Sequence, residues 1–97
     1  MEDKKEELKK YSNFSKVKQN VKKHLGKEKD VFISTRKDKK YMIKAPNDKM
    51  VHFGQMGYED FTKHKDEERR ENFLKRNAKW KDSPIYSPSW LSYYILW

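Results

Sequence analysis

Two histidines and two aspartates near the middle of the chain are the residues whose types could bind a metal or move protons. They are His52, Asp60, His64 and Asp66. Structural zinc sites use Cys and His at short fixed intervals, and an EF-hand loop alternates oxygen ligands around a central glycine. The spacing here matches neither pattern, nor the two-His, one-carboxylate set of non-haem iron sites. We therefore predict no metal and no cofactor.

Two glycines, Gly54 and Gly57, follow a short apolar run and are the nearest approach to a phosphate-binding loop. Their spacing matches neither G-x-G-x-x-G nor the P-loop, and no G-K-[ST] follows them. We expect a structural turn that directs Tyr58 and Phe61 toward the core.

The chain has no cysteine, no serine in a nucleophile elbow and no isolated carboxylate pair suited to acid–base work. The sequence therefore predicts no catalytic residues and no enzyme.

Basic side chains between residues 63 and 79 are the strongest indication of a binding role. The chain has 24 Lys and Arg against 15 Asp and Glu, a formal net charge of +9 at pH 7. Such an excess favours a polyanionic partner: nucleic acid, an anionic membrane or an acidic protein surface. Phosphate contacts carry no sequence information and weaken strongly with salt. The predicted nucleic-acid-binding residues are Lys63, His64, Lys65, Arg69, Arg70, Lys75, Arg76 and Lys79.

A helix that begins after Asp66 must position most of these basic residues. Asp66 is the predicted N-cap, and the acids that follow it complement the positive end of the helix dipole. Phe73 and Leu74 are expected on the inward side of this helix, and Trp80 is a further candidate for that side. Glu71 can pair with Lys75 at helical spacing, so a charged face that is merely solvated remains the alternative.

Residues 31–53 change from helical to alternating spacing and predict three short strands. The apolar runs cover residues 31–33, 41–43 and 50–53. Pro46 followed by Asn47 and Asp48 favours a turn between two of them. Three strands alone are marginal, so a helix must cover one face of the sheet. The predicted fold class is α+β, a small three-stranded antiparallel meander with flanking helices and a short apolar C-terminal helix.

The region before the strands has an apolar stripe at helical spacing, with lysines on the other side. We predict a basic amphipathic helical arm over residues 1–30, separate from a small strand–helix domain over residues 31–97. Ser12 and Asn13 interrupt the stripe, so the arm can form two shorter helices, the second ending at Gly26. The N-terminus has no apolar stretch, so no secretory signal is expected.

The tail, residues 83–97, has no charged side chain. Ser87 and Pro88 predict the start of a short helix, with serine as the N-cap. A helix this short is not stable alone, so it docks either on the sheet or on another protein. No run in the chain is apolar over the length needed to span a membrane. The predicted partner-interface residues are Trp90, Leu91, Tyr94 and Trp97.

The second half of the chain carries a distinctive set of motifs. After KYMIKAP they are VHFG, then G-Y-x-D-F-T-K-H-K-D-x-E-R-R, then F-L-x-R-N, and a closing W-L-x-x-x-I-L-W. With them, residues 51–97 resemble a family of small basic proteins of nucleocytoplasmic large DNA viruses, of the mimivirus and phycodnavirus kind. The chain departs from the family pattern at Asn77, where relatives often carry histidine, and in the phrase IYSPSW. The resemblance implies a viral context and a compact strand–helix module, and it supplies no activity.

Two hypotheses for function follow from charge and resemblance. The first is a non-enzymatic virion protein that associates with nucleic acid, in particular DNA, without sequence specificity. The alternative is a minor capsid or cement protein that docks on other virion proteins through its aromatic tail. A homo-oligomer stays open, because the strands could pair between chains. Either role places the protein in the virion and, during infection, in the host cytoplasm at the viral factory.

Overall fold

The computed structural model describes residues 4–97, so the first three positions of the predicted arm lie outside the described residues. Three antiparallel strands form one sheet in the order β1-β2-β3. The strands are β1 (Val31–Ile33), β2 (Lys39–Lys44) and β3 (Met50–Gln55). The register pairs Ile33 with Tyr41, and Tyr41 with Phe53. The α+β class and the meander are therefore confirmed.

Short helices surround the sheet. The α-helices of the described residues are α1 (Lys4–Leu8), α2 (Phe14–Leu25), α3 (Phe61–His64), α4 (Glu67–Arg76) and α5 (Pro88–Leu91). A 3₁₀ helix, Ala78–Asp82, follows α4, and a π-helical turn, Ser92–Leu96, follows α5. The predicted C-terminal helix is thus α5 together with the π-helical turn. Within residues 4–97, every helix is too short or too polar to cross a bilayer.

Capping residues mark several helix boundaries, at Asp66, Ser87 and Gly26 as predicted and at Asn13 in addition. Asn13 accepts a hydrogen bond from the first turn of α2, and Gly26, at φ +118°, ends that helix. Asp66 accepts from two backbone N–H groups at the start of α4, and Ser87 accepts from one in α5. Each side chain satisfies donors that have no partner inside the helix. Local chemistry therefore determines where these helices begin and end.

The predicted arm packs into the same core as the sheet. Val17 and Val21 of α2 are fully buried, and Leu8 of α1 is 2% exposed. These side chains form one hydrophobic cluster with sheet residues that include Tyr41 and Phe53. The predicted boundary between arm and domain does not separate two packing units, because the sheet needs a helix over its apolar face.

The tail is also part of the core, which corrects the predicted partner interface at Leu91. Leu91 and Ile95 are 0% exposed, and Leu96 is 2% exposed. Regular α-helical spacing predicts that Trp90 and Leu91 lie on the same face of the helix. The π-helical turn has more residues per turn, so the buried face runs through Leu91, Ile95 and Leu96 instead.

The other predicted interface residues are half-buried. Trp90 and Tyr94 lie 4.9 Å apart, centroid to centroid, and both rings contact His24 of α2. Trp97 packs against the core and stacks on Phe73. Partner contacts through the exposed parts of Trp90, Tyr94 and Trp97 stay a prediction.

Polar side chains from two helices hold the end of the tail. Asn20 of α2 donates from Nδ2 to the carbonyl of Ile95 at 2.7 Å. Arg70 of α4 donates from Nε to the carbonyl of Trp97 at 2.8 Å. Carbonyl groups at a helix end have no partner within the helix, so these bonds both satisfy them and tie the tail to α2 and α4.

Gly54 lies within β3 rather than in a loop after it. Its φ is +79°, and an added Cβ would lie 2.9 Å from Leu96 Cδ1 and 3.1 Å from Lys40 Cβ. Only glycine combines this conformation with so close an approach of the tail. The expectation that the following turn directs Tyr58 into the core is wrong, because Tyr58 is 66% exposed and Asp60 takes the buried position.

Candidate functional site

A groove between α4 and the end of β3 lies beside several of the predicted basic residues. Its volume is about 520 Å³, within the range of roughly 300–1,000 Å³ typical of small-ligand pockets. Side chains from α4, the 3₁₀ helix, β3, the connector after β3 and the tail line it. The lining residues that matter for its chemistry are Gln55, Glu59, Arg69, Asn72, Phe73, Arg76, Trp80 and Trp97.

One face of α4 forms a side of this groove. Arg69, Asn72, Phe73 and Arg76 recur at i, i+3, i+4 and i+7, which places them on the same face of a helix. No residue of α4 is buried. Phe73 and Leu74, predicted to face inward, are both half-buried. The face of α4 that carries Phe73 is therefore open to the groove rather than packed into the core.

Three aromatic rings form a connected group along the groove. Phe73 stacks on Trp97, with centroids 4.2 Å apart and 5° between the ring planes. Trp80 contacts Phe73 edge-on, at 5.9 Å and 75°. Among the described residues, neither Phe73 nor Trp80 belongs to the hydrophobic core or to the side chains packed against it. These two rings therefore belong to the groove and not to the core.

The predicted basic residues differ in what already binds them. Arg69 Nη1 lies 3.8 Å from Glu59 Oε1, and Lys75 Nζ lies 3.3 Å from Glu71 Oε1. Arg70 and Lys75 lie on the side of α4 away from the groove, where they line a separate shallow depression. The unpartnered basic residues, which are exposed and whose side chains bind nothing else in residues 4–97, are Lys63, Lys65, Arg76 and Lys79.

Arg70 has contacts within the fold, and its predicted contact with phosphate stays a prediction. Its guanidinium lies 5.2 Å from the centroid of the Phe61 ring. Its Nε is the donor that holds the carbonyl of Trp97. A cation over an aromatic face and a hydrogen bond to the tail both stabilise the packing of α4. Arg70 is therefore an anchor between α3, α4 and the tail.

His64 is also held within the fold. Its Nδ1 accepts a hydrogen bond from the backbone N–H of Asp66 at 2.9 Å, and its Nε2 is buried with no hydrogen-bond partner in the described part of the chain. Burial lowers the pKa of His64 below its usual value, and the charge of Arg69 adds to this effect. This shift favours the neutral imidazole, which lacks the charge of lysine or arginine, and the role of His64 in nucleic-acid binding stays a prediction.

A buried ion pair beside the groove is the feature that sequence reasoning missed. Lys40 Nζ lies 3.0 Å from Asp60 Oδ2, and the two side chains are 3% and 1% exposed. Burial lowers the pKa of Lys40, while the charge of Asp60 opposes that shift. Lys40 belongs to a lysine-rich run, RKDKK, that reads as a solvated turn, so no local signal marked it as buried.

Hydrogen bonds connect this pair to the segment between α1 and α2. Tyr41 Oη donates to Ser12 Oγ at 2.6 Å, and Ser12 Oγ lies 3.1 Å from Thr62 Oγ1. Thr62 in turn donates to Asp60, whose backbone N–H donates to the carbonyl of Tyr11 at 3.0 Å. Burial raises the pKa of Tyr41. Because its polar groups have partners, the network can be buried and hold these segments together.

The four candidate metal ligands do not come together. Within residues 4–97 no group of three or more His, Asp or Glu could hold a metal ion. His52 Nδ1 lies 2.6 Å from Ser34 Oγ, and Asp60 is engaged by Lys40. Asp66 caps α4. Each of these side chains therefore has a structural partner of its own.

Comparison with known proteins gives a family likeness without a function. A family of unknown function, DUF5754, matches residues 30–77. The chain is similar to that family from β1 to the end of α4, which includes the ion pair of Lys40 and Asp60 and the basic face of α4. Trp80, α2 and the tail lie outside the match. No curated protein and no solved structure matches this chain.

Proposed function

We propose that this protein associates with nucleic acid without sequence specificity, as a binding protein and not an enzyme. The net charge of +9 supports the proposal, because lysine and arginine that neutralise phosphates release condensed counterions. The observation that carries it is Arg76, an exposed guanidinium at the groove that binds no other side chain in residues 4–97. Such a group is available to a phosphate without breaking an existing contact.

The proposed setting is the particle of a large DNA virus, and the host cytoplasm at the viral factory during infection. Support for this setting is the resemblance of residues 51–97 alone, and DNA is proposed as the polyanion for the same reason. The alternative role, docking on capsid proteins through the tail, is less well supported. Leu91 and Ile95 are fully buried and so are not available to a partner.

The proposal is tested by the salt dependence of binding. Fluorescence anisotropy would follow a labelled random-sequence duplex between about 50 and 200 mM salt. The double variant Arg76→Gln/Lys79→Gln removes two unpartnered basic residues. It is expected to weaken binding and to reduce the slope of log K against log salt by about 2, since each phosphate contact contributes roughly 0.9.

A matched control removes the same charge elsewhere. In Lys9→Gln/Lys44→Gln, both lysines already pair with acids of the chain, Glu6 and Asp48. This variant is expected to change the slope much less than the first. No binding to the duplex or to a single strand, even at low salt, would contradict the proposal. Equal loss of slope in both variants would show a general effect of net charge, with no interface around Arg76.

A further inference from the structure

We infer that the groove between α4 and β3 binds an unpaired base of single-stranded nucleic acid, with Trp80 as the stacking surface. This inference rests on the proposed function and names the form of nucleic acid that the groove would take. It is carried by three features of the groove: a half-buried ring on which no other ring is stacked, two arginines that line the same groove, and amides with no partner.

The first feature is the aromatic ring and its support. Trp80 is half-buried, and its one ring contact in the described part of the chain is edge-on with Phe73. Phe73 is itself fixed by stacking on Trp97. The backbone N–H of Trp80 donates to the carbonyl of Asn77 at 2.9 Å within the 3₁₀ helix. Trp80 is therefore held in place while no other ring is stacked on it, which suits it to stack on a base.

The second feature is positive charge next to this ring. Arg76 lines the groove and has no side-chain partner among residues 4–97. Arg69 lines it seven residues earlier on the same face of α4, in an exposed ion pair with Glu59 at 3.8 Å. Exposed pairs contribute little stability, so Arg69 can exchange Glu59 for a phosphate at small cost. Two arginines can thus contact the backbone of a strand whose base lies at Trp80.

The third feature is a pair of amide side chains. Gln55 and Asn72 are exposed, line the groove, and make no side-chain hydrogen bond within residues 4–97. An amide has both donors and an acceptor, so it can bond to the edge of any base. In a duplex these edges are paired and the faces are stacked, whereas an unpaired base presents both. An acidic peptide would use the arginines but leave the ring without a role.

The test compares three ligands of equal length: an oligothymidylate, an abasic oligodeoxynucleotide and a random-sequence duplex. The protein is expected to bind the oligothymidylate more tightly than the abasic strand. Trp80→Leu is expected to weaken oligothymidylate binding by about 5- to 150-fold, equivalent to ~1–3 kcal/mol for one stacked base. The salt slope should stay the same, because no charge is lost. Trp80→Phe keeps a ring and should retain most of the affinity.

Phe32→Leu is the matched control, since it removes an exposed ring, 49% exposed, that does not line the groove. It is expected to leave all three affinities unchanged. The comparison of oligothymidylate with the abasic strand uses the unaltered protein, so it decides the inference even where Trp80→Leu does not fold. Folding of each variant is checked by circular dichroism.

Several results would overturn the inference. One is equal affinity of the unaltered protein for the oligothymidylate and the abasic strand. Another is that Trp80→Leu weakens duplex binding as much as oligothymidylate binding. Either result leaves the proposed function in place, because the protein would still bind phosphates. A polyglutamate peptide serves as a further ligand. If Trp80→Leu binds this peptide more weakly than the unaltered protein does, the groove is a site for acidic protein and the inference is overturned. No binding to any of the three nucleic acids would overturn both proposals.

Discussion

At the scale of single residues, the pair of Lys40 and Asp60 shows why a charged residue type does not predict exposure. Both side chains are almost fully buried, 3.0 Å apart. Removing two charges from water is costly, and it is tolerated only when the charges meet each other and further hydrogen bonds. Thr62 supplies one such bond to the carboxylate. The pair stabilises this arrangement only as long as both members are present.

The ion pair leads to a prediction on stability. Lys40→Met should lower the free energy of unfolding by about 3–5 kcal/mol, because it leaves the buried carboxylate of Asp60 without its partner. Urea denaturation followed by circular dichroism measures the change. Lys44→Met is the control on the same strand, where the pair with Asp48 is exposed, and it should change stability by less than about 1 kcal/mol. Equal effects of the two variants would contradict a buried charge pair.

At the scale of elements, the tail is the clearest case of a segment whose role depends on packing. Its apolar composition fits both a core helix and an interface for another protein. The structure decides for the core at Leu91 and Ile95, which are fully buried. The side chain of Asn20, from the opposite end of the chain, bonds the tail at Ile95. The tail therefore connects α2, the sheet and α4.

Burial of the tail in the core leads to a prediction on stability. Leu91→Ala should lower the free energy of unfolding by about 2–5 kcal/mol, because it opens a cavity in the core. Ile85→Ala is the control in the same tail, since Ile85 is 63% exposed, and it should change stability by no more than about 0.5 kcal/mol. Thermal or urea denaturation of both variants measures the difference. If the Leu91→Ala protein is as stable as the Ile85→Ala protein, Leu91 does not belong to the core, and the tail is again a candidate interface for another protein.

At the scale of the whole molecule, burial shifts the pKa values of the three histidines in the same direction. It lowers the pKa of His24, His52 and His64 below the usual value, and nearby lysines or arginines add to the effect in each case. For His64 the added charge is that of Arg69, while nearby carboxylates oppose it. Folding therefore favours the neutral form of all three side chains.

This common direction predicts how stability depends on pH. Because the unfolded chain binds protons more readily, the contribution is fully present above the ordinary histidine pKa of about 6.5. It is lost as the pH falls through the lower pKa values of the folded protein. The urea midpoint should therefore be lower at about pH 5.5 than at about pH 7.5.

A single substitution measures how much of this pH dependence comes from His64. His64→Asn keeps an acceptor near the backbone N–H of Asp66 but cannot titrate, so its urea midpoint should fall less between the two pH values than that of the unaltered protein. A midpoint that rises on acidification would contradict the direction of the shifts. If the urea midpoint of His64→Asn falls between the two pH values as much as that of the unaltered protein, the pH dependence comes from His24 and His52.

Local chemistry in the sequence by itself determined the elements. The caps at Asp66 and Ser87 and the end of α2 at Gly26 lie where the sequence predicts them, and the three strands include the predicted apolar runs. A cap or a strand depends on a few neighbouring residues, and those are visible in the sequence. The excess of basic residues on and around α4 was equally visible, since composition and helical spacing require no knowledge of packing.

Only the tertiary structure decided which side chains are buried and which meet. Lys40 and Asp60 are 20 positions apart, and Asn20 and Ile95 are 75 positions apart. Nothing local marks such partners, because each contact depends on how the sheet, α2 and the tail pack together. The same holds for Trp80, which lines a groove together with residues of α4 and the end of β3.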